Sequence, residues 1–69
     1  SMVDLAAERQ RLTQEIAQAE TEIARLETRL ADQAFLGKAP AAVIERERGR
    51  LAERQDRAAR LKQELERLG

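Results

Sequence analysis

From Leu5 to Leu30 the apolar side chains fall at Leu5, Leu12, Ile16, Ala19, Ile23, Leu26 and Leu30, with gaps of three and four alternating once Arg9 is included. That rhythm is the heptad repeat of a helix with one narrow seam to bury against a partner helix. Ile16, Ile23 and Leu30 occupy position a; Leu5, Leu12, Ala19 and Leu26 occupy position d. A second seam places Ile44, Leu51, Ala58 and Leu65 at a, and Glu47, Arg54, Leu61 and Leu68 at d. The two charged d residues are expected to lay their stems along the seam and push their charged ends to water, which weakens the packing near its middle. Ala19 and Ala58, each flanked by larger residues, predict a close approach of the two helices.

Between the seams, across Asp32-Gln33-Ala34-Phe35-Leu36-Gly37-Lys38-Ala39-Pro40, the heptad fails and the punctuating residues gather. Gly37 can take a positive φ, and Pro40 suits the first turn of a new helix, where its missing N–H would be unpaired anyway. The reading is a helix over 3–32, a tip loop over 33–39 and a helix over 40–68, with Ser1-Met2 read as a remnant of tag cleavage and left out of the fold. A connection this short returns the second helix antiparallel to the first. The expected fold class is therefore all-α, a two-helix antiparallel coiled-coil hairpin, with each helix of ~28 residues about 42 Å long. Antiparallel pairing lets Glu27 reach Arg48 on one flank and Glu22 reach Arg50 or Arg57 on the other, each exposed pair contributing ~0.2–1 kcal/mol. Gly49 falls at an outward position of the second helix, where it costs roughly 1 kcal/mol relative to alanine.

Composition narrows the function. Only fifteen residues are Leu, Ile, Val or Phe, and Phe35 is the sole aromatic, so a globular core of large side chains is not expected. The chain has no His, Cys or Tyr, and its only serine is Ser1, which removes nucleophilic triads, imidazole bases and zinc sites. Carboxylate pairs such as Glu20 with Glu22, or Glu64 with Glu66, stand two residues apart and point to different faces of a helix. No glycine-rich phosphate loop is present, because Gly37, Gly49 and Gly69 are far apart. A non-catalytic chain without catalytic residues, cofactor or metal is expected. The absence of cysteine fits a cytoplasmic setting, and no apolar run approaches the ~20 residues that a membrane span needs.

Thirteen basic residues balance thirteen acidic ones, so any attraction to nucleic acid must come from local patterning. Four basic and seven acidic residues lie between Val3 and Asp32, whereas Ile44 to Gly69 holds eight basic and six acidic ones, and Lys38 adds a charge at the tip. Arg46, Arg50, Arg57, Arg60 and Arg67 share one outward side of the second helix, interrupted by Glu53 and Glu64. Arginines a turn apart can follow a phosphate backbone, since guanidinium is a bidentate phosphate ligand. The same stripe also suits a solvated flank making ion pairs within the hairpin. Phe35 has two readings as well: a plug closing the tip onto Val43 or Ile44, or a platform on which a base stacks.

The tip, Phe35-Leu36-Gly37-Lys38-Ala39-Pro40 followed by Val43-Ile44 and Glu45-Arg46-Glu47-Arg48, resembles the C-terminal arm of bacterial-type valyl-tRNA synthetase. The opening Val3-Asp4-Leu5-Ala6-Ala7-Glu8-Arg9 and the middle Glu22-Ile23-Ala24-Arg25-Leu26-Glu27 are similar to the first helix of that arm. The resemblance implies an arm that rests on the outer corner of tRNA, where the D and T loops meet, while catalysis belongs to other domains of the parent synthetase. On that basis Lys38, Arg46, Arg50, Arg57 and Arg60 become candidate phosphate contacts, and Phe35, Gly37, Ala39, Pro40 and Val43 shape the tip. The expected partners are tRNA and the rest of the synthetase, with no membrane.

Two other readings compete. A structural or oligomerisation module would pair the hairpin with a second copy as a four-helix bundle. The outer faces carry Arg, Glu and Gln and show no second apolar stripe, so a monomer is expected. The C-terminal coiled coil of a translation-associated ATP-binding-cassette protein would keep the link to RNA and lose the aminoacylation context.

Overall fold

A computed structural model describes the backbone of residues 2–69 and the side chains of residues 4–69; Ser1 of the expected tag remnant lies outside them. The chain is all-α, with α1 over Met2–Ala31, α2 over Gln33–Lys38 and α3 over Ala41–Leu68, and no strand among the described residues. Its extents are 53 × 14 × 13 Å, close to the length of α1 itself plus a small tip.

The two long helices contact each other along the whole rod, and their contacts run in opposite order. Arg9 meets the carbonyl of Leu68, Glu15 meets Arg57, Glu22 meets Arg54 and Arg29 meets Glu47. Between them lies one thin core. Leu12 is fully buried, and Ile16, Ala19, Leu26 and Ala58 are also buried, all at a or d positions of the seams read from the sequence. Ile23, Leu30, Leu51, Leu61 and Leu65 are half-buried, as expected where only one neighbouring helix covers each side chain.

Two seam positions differ from expectation. Leu5 is 44% exposed. Arg9 already faces the last turn of α3, so a residue one turn further out has no α3 side chain across from it. Glu47 does not reach water; it is 8% exposed, with Oε1 accepting from Arg29 at 3.2 Å and Oε2 buried without a partner. The guanidinium across the seam holds the carboxylate in, where a lone glutamate would have extended outward.

The segment read as a tip loop is largely helical. α1 stops at Asp32, which is extended (φ −82°, ψ 112°), and the Asp32 carboxylate then accepts from the Ala34 N–H at 3.0 Å to cap α2. Gly37 lies inside α2, and the one positive-φ residue of the described chain is Gly69. The reversal is made instead by Ala39 (ψ 143°) and Pro40 (ψ 149°), both extended. Proline disfavours helical geometry in the residue before it, which fixes Ala39, and Pro40 then serves as the N-cap of α3 rather than part of its first turn. Its carbonyl accepts from Val43 at 3.0 Å and from Ile44 at 3.1 Å.

These features set two expected outcomes. Leu12→Ala should lower stability by roughly 2–5 kcal/mol and Leu26→Ala by a similar amount, with exposed Thr28→Ala within about 0.5 kcal/mol of the parent, as read by urea unfolding. Because a Cβ on Gly37 meets nothing within 4 Å and its backbone is helical, Gly37→Ala should be neutral or stabilising by up to ~1 kcal/mol. A clear drop in melting temperature for that variant would mean the tip needs a left-handed residue there.

Candidate nucleic-acid interface

One flank of the helix pair is crossed by arginine–glutamate contacts. Arg54 of α3 donates to Glu22 of α1 and also to Glu53 at 3.0 Å on its own helix. Arg29 of α1 donates to Glu47 of α3 at 3.2 Å, and Arg57 to Glu15 at 2.9 Å. On the opposite flank Lys62 stands 3.8 Å from Glu20. The partners differ from those read in the sequence: Glu22 takes Arg54 rather than Arg50 or Arg57, and Arg48 turns to Glu45 at 3.0 Å on its own helix rather than to Glu27. Arg54 wins Glu22 because the d position brings its stem between the helices, whereas Arg50 starts from the flank. The hydrogen bond from Arg54 holds the Glu22 carboxyl below its ordinary value of 4.5; partial burial opposes this, and the charges of Arg54, Arg50 and Arg25 add to it.

The stripe read on α3 divides in two. Arg57 and Arg60 are already engaged, the latter with Asp56 at 2.6 Å. Lys38, the last residue of α2, and Arg46 and Arg50 on the first turns of α3 are exposed and have neither ion pair nor side-chain hydrogen bond among the described residues. Arg67, near the far end, is likewise exposed. The tip residues surround the reversal: Gly37 is exposed, Ala39 and Val43 are half-buried, and Pro40 is exposed. Phe35 is half-buried against α1, with the Arg29 guanidinium 5.6 Å from its ring centroid and a shallow groove shared with Thr28 and Asp32. The ring thus carries a cation over it, worth ~0.5–1 kcal/mol at such an exposed site.

Sequence reading assigned no role to Arg25 and Arg29. Both lie on the helix with an acidic balance, yet they stand one turn apart and open onto the same flank as Arg50 and Arg54. The signal was present as two i, i+4 arginine pairs, visible only when the two helices are laid side by side. Viewed along the rod, the segment from Arg25 to Arg50, which contains the tip, holds six basic and four acidic residues, while the rest of the chain holds seven basic and nine acidic ones. Positive charge is therefore in excess at the tip and negative charge at the other end.

The chemistry available is electrostatic. Among the described residues no group of His, Cys, Asp or Glu could hold a metal ion, and no helix is long and apolar enough to cross a membrane. What the tip half does offer is a set of guanidinium and ammonium donors that internal carboxylates leave free, the donor type that phosphate oxygens accept from.

Residues 4–69 match the family described as valyl tRNA synthetase tRNA binding arm. The chain belongs to this family. Among curated relatives, a valine–tRNA ligase of Dehalococcoides mccartyi is 50% identical over 62 residues, covering 90% of this chain and 7% of that protein. Valine–tRNA ligases of Syntrophotalea carbinolica and Streptomyces coelicolor are 42% and 43% identical, each over 67 residues that cover 97% of this chain and 8% of theirs. The chain thus spans less than a tenth of the length of these relatives. No solved structure matches it. Membership in the valyl-tRNA synthetase arm family agrees with the tip sequence from Phe35 to Arg48, and the match extends through both long helices.

The depressed Glu22 carboxyl sets a pH dependence. A group held below its unfolded value contributes stability that is present above that value and is lost as pH falls through the folded one. The melting temperature should therefore drop as pH falls below about 4.5, and Glu22→Gln should flatten part of that drop. Added salt should narrow the difference between the two proteins, because the pair is exposed to solvent. Parallel acid limbs for parent and variant would show that Arg54 does not hold Glu22 in solution.

Proposed function

We propose that the chain is a two-helix antiparallel coiled-coil hairpin acting as the non-catalytic tRNA-binding arm of a valyl-tRNA synthetase, and that it rests on the outer corner of tRNA where the D and T loops meet. The family match over residues 4–69 carries this reading. The opposite order of the contacts in α1 and α3 and the burial of Leu12, Ile16, Ala19, Leu26 and Ala58 support the coiled-coil geometry. The hairpin as a whole, helices and tip together, is one binding unit over residues 3–69.

Lys38, Arg46 and Arg50 are the first phosphate contacts, since none of them is held in an ion pair or side-chain hydrogen bond among the described residues. Arg57 and Arg60 contribute by exchanging Glu15 and Asp56 for phosphate oxygens, a swap that costs little because exposed pairs are weak. Phe35, Gly37, Ala39, Pro40 and Val43 give the tip its shape. Such contacts fix position and carry little sequence information, so the isolated arm binds tRNA weakly and with little discrimination. In the parent enzyme the arm adds affinity through effective concentration, because other domains already hold the tRNA nearby. No cofactor of its own is needed, valine–tRNA ligation is done by the rest of the synthetase, and a cytoplasmic location follows from that role. The polar outer faces leave the arm monomeric.

Removing the arm from the parent ligase should raise KM for tRNA while leaving valine-dependent ATP–pyrophosphate exchange unchanged. Replacing Lys38, Arg46 and Arg50 together by glutamine should reproduce part of that loss and reduce the salt dependence of binding by roughly 2–3 units of slope. An unchanged KM across a salt titration would leave only a structural role, and sedimentation as a stable dimer at micromolar concentration would point to an oligomerisation module instead.

A further inference from the structure

On the flank crossed by the Arg54–Glu22 and Arg29–Glu47 contacts lies a groove of about 290 Å³, walled by Arg25 and Arg29 of α1 and by Arg50 and Arg54 of α3, with Glu22 and Glu47 between them. Four guanidiniums against two carboxylates leave an excess of two positive charges in this small space. Arg54 and Arg29 are committed to the two carboxylates. Arg25 and Arg50 are not: both are exposed, neither has an ion pair or side-chain hydrogen bond among the described residues, and they come from opposite helices. Both act on the same neighbour, since each lowers the Glu22 carboxyl through space without displacing Arg54 from it. Two free cations thus share one site whose own anions are already taken.

We propose that Arg25 and Arg50 clamp a single backbone phosphate of a structured RNA across the helix seam, with the Arg29–Glu47 and Arg54–Glu22 bridges holding the groove walls at a fixed spacing. This rests on reading the chain as a tRNA-binding arm and names a site within it. A phosphodiester has two free oxygens pointing to different sides, so it can accept from a guanidinium on each wall at once. The groove offers no apolar anchor that a peptide helix would require, because Leu26 on its floor is buried. Leu5, the large hydrophobic side chain found exposed among the described residues, lies near the far end of the rod from this groove, which argues against a lipid surface here.

The test is tRNA binding to the 69-residue chain over a salt titration, with Arg25→Gln, Arg50→Gln, the double variant, Arg25→Lys, and Lys62→Gln as a control of equal charge change on the opposite flank. Circular dichroism would establish that each variant is helical. Each single glutamine variant should bind roughly tenfold more weakly at fixed salt and lose less than about 0.7 units of slope, because the remaining arginine still meets the phosphate, while Lys62→Gln stays within about twofold of the parent. One shared phosphate requires the double variant to lose about 0.7–0.9 units of slope in all, and Arg25→Lys to keep the slope without the full affinity, since lysine keeps the charge and loses the fork. A double variant losing about twice the slope would mean two separate phosphates and would overturn the clamp. So would Arg25→Gln matching Lys62→Gln while the parent binds tRNA, a result that leaves the arm reading intact. Failure of the parent chain to bind tRNA at low salt would bring down the arm reading itself. Capture of phosphatidylserine vesicles through Arg25 and Arg50, with no tRNA bound, would overturn the proposal in favour of a membrane site.

Discussion

Two helices lying side by side can bury only one stripe of each, and that limit shapes the rest of this molecule. The core is a single file of side chains, with Leu12 alone among the described residues fully enclosed and alanines at positions 19 and 58 letting the backbones draw together. Every other face meets water. Stability has to come from a small apolar area, and register has to be fixed by something more selective than hydrophobic contact, because a heptad seam can slide by one repeat at modest cost. The arginine–glutamate bridges spaced along one flank supply that selectivity: a slip of seven residues would face Arg29 and Arg54 with different neighbours and leave Glu47 buried without its guanidinium.

Glu47 shows how sharp this constraint is. A carboxylate with one oxygen paired and one unpaired inside a thin core is less favourable than a leucine would be, and a buried ion pair is weak support for stability in general. Its position makes sense as a device that penalises wrong alignments, since only one register puts Arg29 across from it.

Much of this was legible in the sequence, for a physical reason. A seam that must be buried repeats every three or four residues, so Leu12, Ile16, Ala19, Leu26 and Ala58 could be read as interior positions and Asp32 and Pro40 as the places where the long helices break. What escaped reading depends on neighbours distant in sequence. The short helix Gln33–Lys38 buries none of its residues, so it leaves no periodic imprint, and of the two residues that punctuate the tip, Gly37 and Pro40, it is Pro40 with Ala39 before it that makes the reversal. Leu5 looked like any other d residue because periodicity does not report where the partner helix stops. Arg46 and Arg50 stand out from the excess of basic residues along α3, and Lys38 from its place at the tip. Arg25 was not found, because charge was summed helix by helix while the groove it lines is assembled from both.

The separation of charge along the rod has a consequence for how an encounter proceeds. A body 53 Å long and about 14 Å thick, positive in excess at one end and negative at the other, is an electric dipole, and near a polyanion it experiences a torque as well as a pull. Screening confines that torque to roughly the last 8 Å of approach at physiological ionic strength. It cannot guide the molecule from afar. It can rotate a badly aimed collision while the two surfaces are still separated by a few layers of water, so that the tip arrives first and the acidic end is turned away.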